Sequence, residues 1–221
     1  MSFLPAIHPL DAARCAAPAA CEEQAELRRL PGVSAEEFRD GIFALRTRRF
    51  GRVAEIMVAR LTGAEEARNI FHDLFDADQS ARIEVKFCTV GEKHEQPITE
   101  ASLFDAVAQA ARPRAVSFAA WENARFDCNI QQVKPEEFDV LFYGLFFHDR
   151  IVIFQITRDE LLSDPAIRYC PRQHKGNVGE GQFHLNQRTL GHHLAHYHQV
   201  SLTYGDFLVL LSPQGKSEVC L

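Results

Sequence analysis

No apolar run in this 221-residue chain reaches the ~18–20 residues that a membrane-crossing helix needs. The longest candidate, Phe138 to Ile156, is broken by His148-Asp149-Arg150 and reads as two strands and a turn. The first residues lack a basic stretch followed by an apolar one, so no signal peptide is expected. Six cysteines, at positions 15, 21, 88, 128, 170 and 220, form no CxxC pair. Reduced thiols in a cytoplasmic protein are the expectation. There is no GxGxxG, no GxxxxGK[ST] and no GxSxG, which removes the usual dinucleotide, P-loop and esterase readings. A basic excess is lacking too. Twenty-four Lys and Arg against 30 Asp and Glu leave a net charge of −6, which argues against a general nucleic-acid binder but not against an enzyme with a local basic cleft. Lysine is scarce, with five residues against 19 Arg, so each lysine is informative.

What remains is ordinary for a globular chain: 46% apolar residues, 24% charged, and 17 Phe to build a core. Residues 1–33, rich in Ala and Pro, read as an arm. Residues 34–221 read as one domain. Ser34-Ala35-Glu36-Glu37 is a capping box. It opens a helical pattern at Phe38, Ile42, Leu45, Val53, Ile56, Met57 and Leu61, weakened by Gly41 and Gly51 into one helix or two, with Gly63 as its stop. Asn69 to Phe75 and Arg82 to Val90 alternate with period two around the polar turn Asp76 to Ala81, which reads as a β-hairpin. Thr99 is expected to cap a helix to about Arg112, with Leu103, Val107 and Ala110 inward. Strands are expected over Ala115 to Ala120, Phe126 to Val133, Phe138 to Phe147 and Ile151 to Ile156. Short helices are expected after the Thr157-Arg158-Asp159-Glu160 box and over Thr189 to His198, and Tyr204 to Leu211 forms a last apolar segment. The order predicts an α/β (α+β) fold with a mixed sheet.

Chemistry concentrates on the first hairpin. With the turn centred on residues 76–81, Phe75 opposes Arg82, Asp73 opposes Glu84 and Phe71 opposes Lys86. Directly opposed residues have Cβ atoms about 4.5–5.5 Å apart. Lys86 is two residues beyond Glu84 and points to the same side. Two carboxylates in one patch suit a hard cation such as Mg²⁺, which takes one or two carboxylates plus phosphate and water. Such a cation polarises a phosphodiester and acidifies water, and a neighbouring ammonium offsets the charge that builds up on the phosphate. Asp76 and Asp78 are alternative ligands, placed in the turn. The bland reading of the same residues is a solvated hairpin face, because an acidic-x-Lys triplet arises by chance in a chain this size.

Glu84-Val85-Lys86 in an apolar strand, behind a strand carrying Asp73 and a helix carrying Glu55, resembles the PD-(D/E)xK nuclease superfamily, and in particular type II restriction endonucleases. The resemblance covers Arg46 to Val90, with Arg46 to Glu55 as the helix and Asn69 to Asp76 and Arg82 to Phe87 as the two strands. His72 stands where the family usually has Pro. The resemblance implies a restriction-endonuclease-like mixed β-sheet flanked by helices. It also implies Mg²⁺ ligation by Asp73 and Glu84, a role for Lys86 toward the attacking water, and Glu55 as an accessory acid. The activity implied is sequence-specific hydrolysis of double-stranded DNA to 5′-phosphate ends in a bacterial cytoplasm. A homodimer and a methyltransferase as genetic companion are implied with it. The apolar hairpin, capped helix and polar segment that follow resemble the small blunt-cutting members.

Six of the ten histidines fall in residues 174–198. Gln173, His174, Lys175 and Asn177, with Gln182, His184 and Asn186, flank a Gly-rich turn at 178–181. These side-chain types read base edges, and residues 169–200 are the expected recognition segment. Solvated loops have the same composition. Cys170, His174, His184, His192, His193 and His196 offer zinc donors, at spacings that match no standard closed site. Arg46, Arg48, Arg49 and Arg52 form a phosphate clamp or a solvated helix face. Asn129, Gln131 and Gln132, near Lys134, line a cleft or end a strand. Trp121 is core or rim. Two other readings stay open: a repair or phage-type nuclease on the same core, and a non-catalytic DNA-binding or zinc-binding protein using the His-rich tail.

Overall fold

Helix α1, Ala35–Ala44, begins where the capping box places it: Ser34 Oγ accepts from Glu37 N (3.1 Å), and Ser34 N donates to Glu37 Oε2 (2.9 Å). The helical pattern divides into two helices, and the division falls at Leu45 and Arg46, both extended, rather than at a glycine. Helix α2, Thr47–Thr62, buries Phe50, Ala54, Met57, Val58 and Leu61, the stripe that a 3.6-residue period puts on one side. Gly63 ends it in the left-handed region (φ +78°). The structure, a computed structural model, describes residues 32–93, 98–110, 114–172 and 178–212.

The hairpin forms in the expected register, but its first strand is shorter than expected. Strand β2 is Leu74–Asp76, preceded by a two-residue β1, Glu65–Glu66, and followed by β3, Ala81–Thr89. Leu74 pairs with Ile83, Phe75 with Arg82 and Asp76 with Ala81. Residues 69–72 leave the strand, where Asn69 Oδ1 accepts from Phe71 N (2.9 Å) in a local turn that competes with the ladder. Asp76 Oδ1 accepts from both Asp78 N (3.0 Å) and Gln79 N (3.1 Å) and fixes the tight turn.

A crossover then carries α3 (Leu103–Ala110), a 3₁₀ turn at Phe118–Ala120 and β4 (Asp127–Val133). It leads to β5 (Val140–Phe146), which lies parallel to β3. The strand expected over Ala115 to Ala120 is a single bridge, Gly91 to Ala115, followed by the 3₁₀ turn. The inward face expected for α3 is also corrected: of Leu103, Val107 and Ala110, the first two are exposed, as is their neighbour Phe104, and the Ala110 side chain lies outside the described residues. The sheet face on the side of Cys88 and Tyr143 is covered by β4 and its partners instead of this helix. Strand β6 (Ile151–Thr157), helix α4 (Arg158–Ser163), β7 (Cys170–Arg172), β8 (Val178–Asn186), α5 (Leu190–His196), β9 (His198–Leu202) and α6 (Tyr204–Leu211) complete the chain. The main sheet runs β1-β2-β3-β5-β6-β9, and a second sheet runs β4-β8-β7. The mixed α+β class is as the element order predicts.

Two cores lie on opposite faces of the main sheet. Met57, Ile83, Val85, Phe142, Phe146 and Phe207 fill the face under α1, α2 and α6. Tyr143, Phe154, Phe183 and Leu190 fill the face under the second sheet. Alternation along β3 sends Ile83 and Val85 to the helix side, so Glu84 and Lys86 face the second sheet.

A bidentate clasp fixes the start of β3. Arg82 Nε and Nη2 reach Asp139 Oδ2 and Oδ1 (3.0 and 2.8 Å), Arg82 N donates to the same Oδ2 (2.9 Å), and Nη1 donates to Glu136 O (2.9 Å). Its two side chains are partly exposed and therefore screened. Asp139→Ala is expected to cost about 1–2 kcal/mol in urea unfolding at neutral pH, with an unchanged m-value.

Candidate active site

Asp73, Glu84 and Lys86 converge at the junction of β2 and β3. Asp73 N donates to Ile83 O (3.1 Å), which continues the ladder by one bond. Asp73 Oδ2 accepts from Val85 N (2.9 Å), so the backbone of β3 itself orients this carboxylate. Lys86 Nζ donates to Glu84 Oε1 and stands 3.8 Å from Asp73 Oδ2. One ammonium therefore serves two carboxylates.

The electrostatics are those of a buried, over-anionic patch. Glu84 is only 8% exposed. Burial, with the Asp73 charge adding to it and Lys86 opposing it, pushes the Glu84 carboxyl up to about 7. Burial alone would lower the Lys86 ammonium, but the charges of Glu84 and Asp73 outweigh it and hold Lys86 above its usual value. Glu137 also raises Glu84. It sits in the segment after β4 that walls the patch, where Lys134 Nζ lies 3.4 Å from Glu137 Oε1 and 4.0 Å from Glu180 Oε1. Sequence reading missed Glu137. Its only signal was its nearness to one of five lysines.

Strand β4 lines the patch lengthwise. Cys128 Sγ donates to Thr89 O (3.7 Å) and Cys88 Sγ to Asn129 O (3.4 Å), so β4 runs back along β3 toward Lys86. It is bulged between Ile130 and Val133, with Gln132 exposed at φ +57°. Asn129 Nδ2 donates to Gln182 Oε1 (2.9 Å).

The accessory residues are placed unevenly. Glu55, on α2, accepts from Arg52 Nη1 (2.8 Å), and its charge is felt at Lys86. Arg52 also reaches Glu66 Oε2 (2.8 Å), so its charge is spent on two carboxylates. Arg46, Arg48 and Arg49 are exposed. Gln173, His174, Lys175 and Asn177 lie outside the described residues. Their expected Gly-rich turn does not form at 178–181, because these residues belong to β8. Gln182 is buried and bonded to Asn129. His184 Nδ1 pairs with Asp127 Oδ1 (2.8 Å), and Asn186 Oδ1 accepts Arg188 N (2.9 Å) at the end of the strand.

His193 and His192 engage separate hydrogen-bond partners. His193 is fully buried with Nδ1 2.7 Å from Tyr143 Oη, and burial lowers it to about 4. His192 Nε2 meets Asp164 Oδ2 (2.6 Å), which also accepts from Tyr197 Oη (2.6 Å). Among the described residues no three His, Cys, Asp or Glu side chains form a metal-holding group.

The Asp164 cluster makes a stability prediction. The Tyr197 hydroxyl, with help from His192, draws the Asp164 carboxyl down to about 2. A depressed carboxylate contributes stability above its unfolded pKa and loses it as pH falls through the folded one. Tyr197→Phe is thus expected to cost about 1–2 kcal/mol at pH 7. The gap from wild type should close as pH falls from about 4 toward 2. Urea unfolding at pH 7, 4 and 3 checks it, and a gap that widens in acid would be contrary to the account.

Comparison of the chain with protein-family models, with curated proteins and with solved structures returned no match. No helix among the described residues is long and apolar enough to cross a membrane.

Proposed function

We propose that the chain is a Mg²⁺-dependent endodeoxyribonuclease that cuts double-stranded DNA at specific sequences, a type II restriction enzyme acting as a homodimer. The observation that carries this reading is the convergence of Asp73, Glu84 and Lys86. A carboxylate pinned by a backbone amide, a buried carboxylate held up to about 7 and one shared ammonium occupy a single patch.

The donor set fits a hard divalent cation. Two carboxylates and room for water and phosphate are what Mg²⁺ takes. Burial and the Asp73 charge disfavour the Glu84 anion, and a nearby dication removes that penalty. Asp73 and Glu84 would hold the ion. When bound, it supplies a Lewis acid that polarises the scissile phosphate and acidifies a water. Lys86, placed between the two carboxylates, would orient the attacking water and offset the charge on the phosphate in the transition state. Attack in line with the leaving 3′-oxygen leaves the phosphate on the 5′ side. Glu55 stands by as an accessory acid. Arg46, Arg48 and Arg49 are exposed cations of the neighbouring helix suited to phosphates. His184 and Asn186 stay as base-contact candidates, whereas Gln182 is committed to Asn129. Two such patches about a twofold axis match the two strands of a palindrome, with the methyltransferase as genetic companion.

Digestion of unmethylated DNA from several sources, with Mg²⁺ and with EDTA, tests the proposal. Discrete fragments that need Mg²⁺ support it. A smear favours a repair or phage-type nuclease on the same core. DNA bound but left intact favours the non-catalytic reading.

A further inference from the structure

The hairpin that delivers Asp73 also carries an exposed apolar crest. Glu66 pairs with Leu74, and Ala67 N donates to Asp73 O (3.1 Å). The residues from Arg68 to His72 therefore close a loop with Asp73 at its foot. At the crest Ile70 is 94% exposed and Phe71 57% exposed. The crest is held in shape. Phe71 N donates to Asn69 Oδ1 (2.9 Å), an Asx turn, and Asn69 Nδ2 lies 3.5 Å from His72 Nε2. Phe71 is two residues from Asp73, so their Cα atoms lie within about 7 Å of each other. A phosphate held at Asp73 would have a flanking base within reach of the crest.

We propose that Ile70 and Phe71 form a wedge that enters the DNA base stack beside the scissile phosphate, so that the duplex is cut in a locally unstacked form. This rests on the nuclease reading. Two side chains are far too little for a protein interface, which needs about 800 Å² on each partner. They have the size and chemistry to separate a single base step, as apolar wedges do in kinked duplexes. Exposed Arg68 flanks the crest and suits the adjoining phosphate. Fixing the crest by an Asx turn at the foot of which a metal-binding carboxylate stands couples distortion of the duplex to placement of the phosphate.

The test first maps the cut with wild-type protein. A duplex with 2-aminopurine at that step is then bound by Lys86→Ala protein in Mg²⁺. Emission is expected to rise severalfold as the base unstacks, and to stay flat when Ile70→Ala and Phe71→Ala are added. In the wild-type background the same pair of substitutions should slow cutting of paired duplex by about tenfold or more. It should cut normally a duplex mismatched at that step, where unstacking is already done. Both side chains are exposed, so their loss leaves the fold intact. Unchanged cutting by the double variant, or a loss that the mismatch does not restore, overturns the wedge. A loss that accompanies altered self-association, with flat emission in both proteins, makes the crest a protein contact and also overturns it. Wild-type cutting with flat emission removes the wedge alone. No cutting by wild type removes the wedge and the nuclease reading together.

Discussion

Lys86→Ala is expected to slow DNA cleavage by about a hundred- to a thousandfold, the cost of deleting one charge aimed at a developing anion. The loss should appear in kcat rather than in DNA affinity, because Lys86 lies among Glu84 and Asp73 instead of on an exposed phosphate-binding surface. The fold should tolerate the change. Glu84 is already held up to about 7, so without its partner it takes up a proton and no buried charge is stranded. Glu84→Gln and Asp73→Asn are expected to lose activity on the same scale. The three losses should be far from additive, since they dismantle one unit. Single-turnover rates with circular dichroism of each variant check this. Full activity in Lys86→Ala would show that the patch is a buried ion-pair cluster with a structural role only.

Gly144→Ala is expected to destabilise the protein by about 3 kcal/mol, on the order of 10 °C in Tm. Gly144 lies in the middle of β5, opposite Phe87 of β3 and Ile153 of β6. A Cβ there would run into the Phe87 ring and the Val152 carbonyl. Phe87 follows Lys86 directly, and the carbonyl belongs to the neighbouring strand. Neither can give way without opening the centre of the sheet. The ring of Phe87 also packs edge-on against Phe146, with centroids 5.8 Å apart. A melting curve checks the size of the effect, and a Tm within about 2 °C of wild type would refute it.

The hairpin was legible because its determinants are local. Asp76 sets the turn, the alternation of Arg82 to Val90 sets the faces, and a one-residue slip would move Glu84 into the helix-side core. The capping boxes at Ser34 and Thr157 were readable for the same reason. What failed to show depends on distant partners. The parallel pairing of β3 with β5 spans the whole crossover, and no short-range pattern announces it. Gly181 looked like a turn residue, yet its missing side chain makes room for the Tyr169 ring within β8. Gln182 looked free to read a base, and it is fixed by Asn129 across the strand pair. The apolar positions of α3 looked inward because periodicity gives a face without saying what covers it. The Ile70–Phe71 crest read as strand, since the Asx turn at Asn69 that takes it out of the ladder leaves the alternation of side chains unchanged.

The chemistry of the DNA ends tests the nuclease reading of the Asp73–Glu84–Lys86 patch. Wild-type protein is incubated with plasmid DNA and Mg²⁺, and the fragments are treated with DNA ligase. The account predicts fragments that rejoin, because water attack at this patch leaves 5′-phosphate and 3′-hydroxyl ends, and it predicts no fragments in EDTA and cutting slowed about a hundredfold or more with Lys86→Ala. Cutting that persists in EDTA, or that Lys86→Ala leaves at wild-type rate, would contradict it.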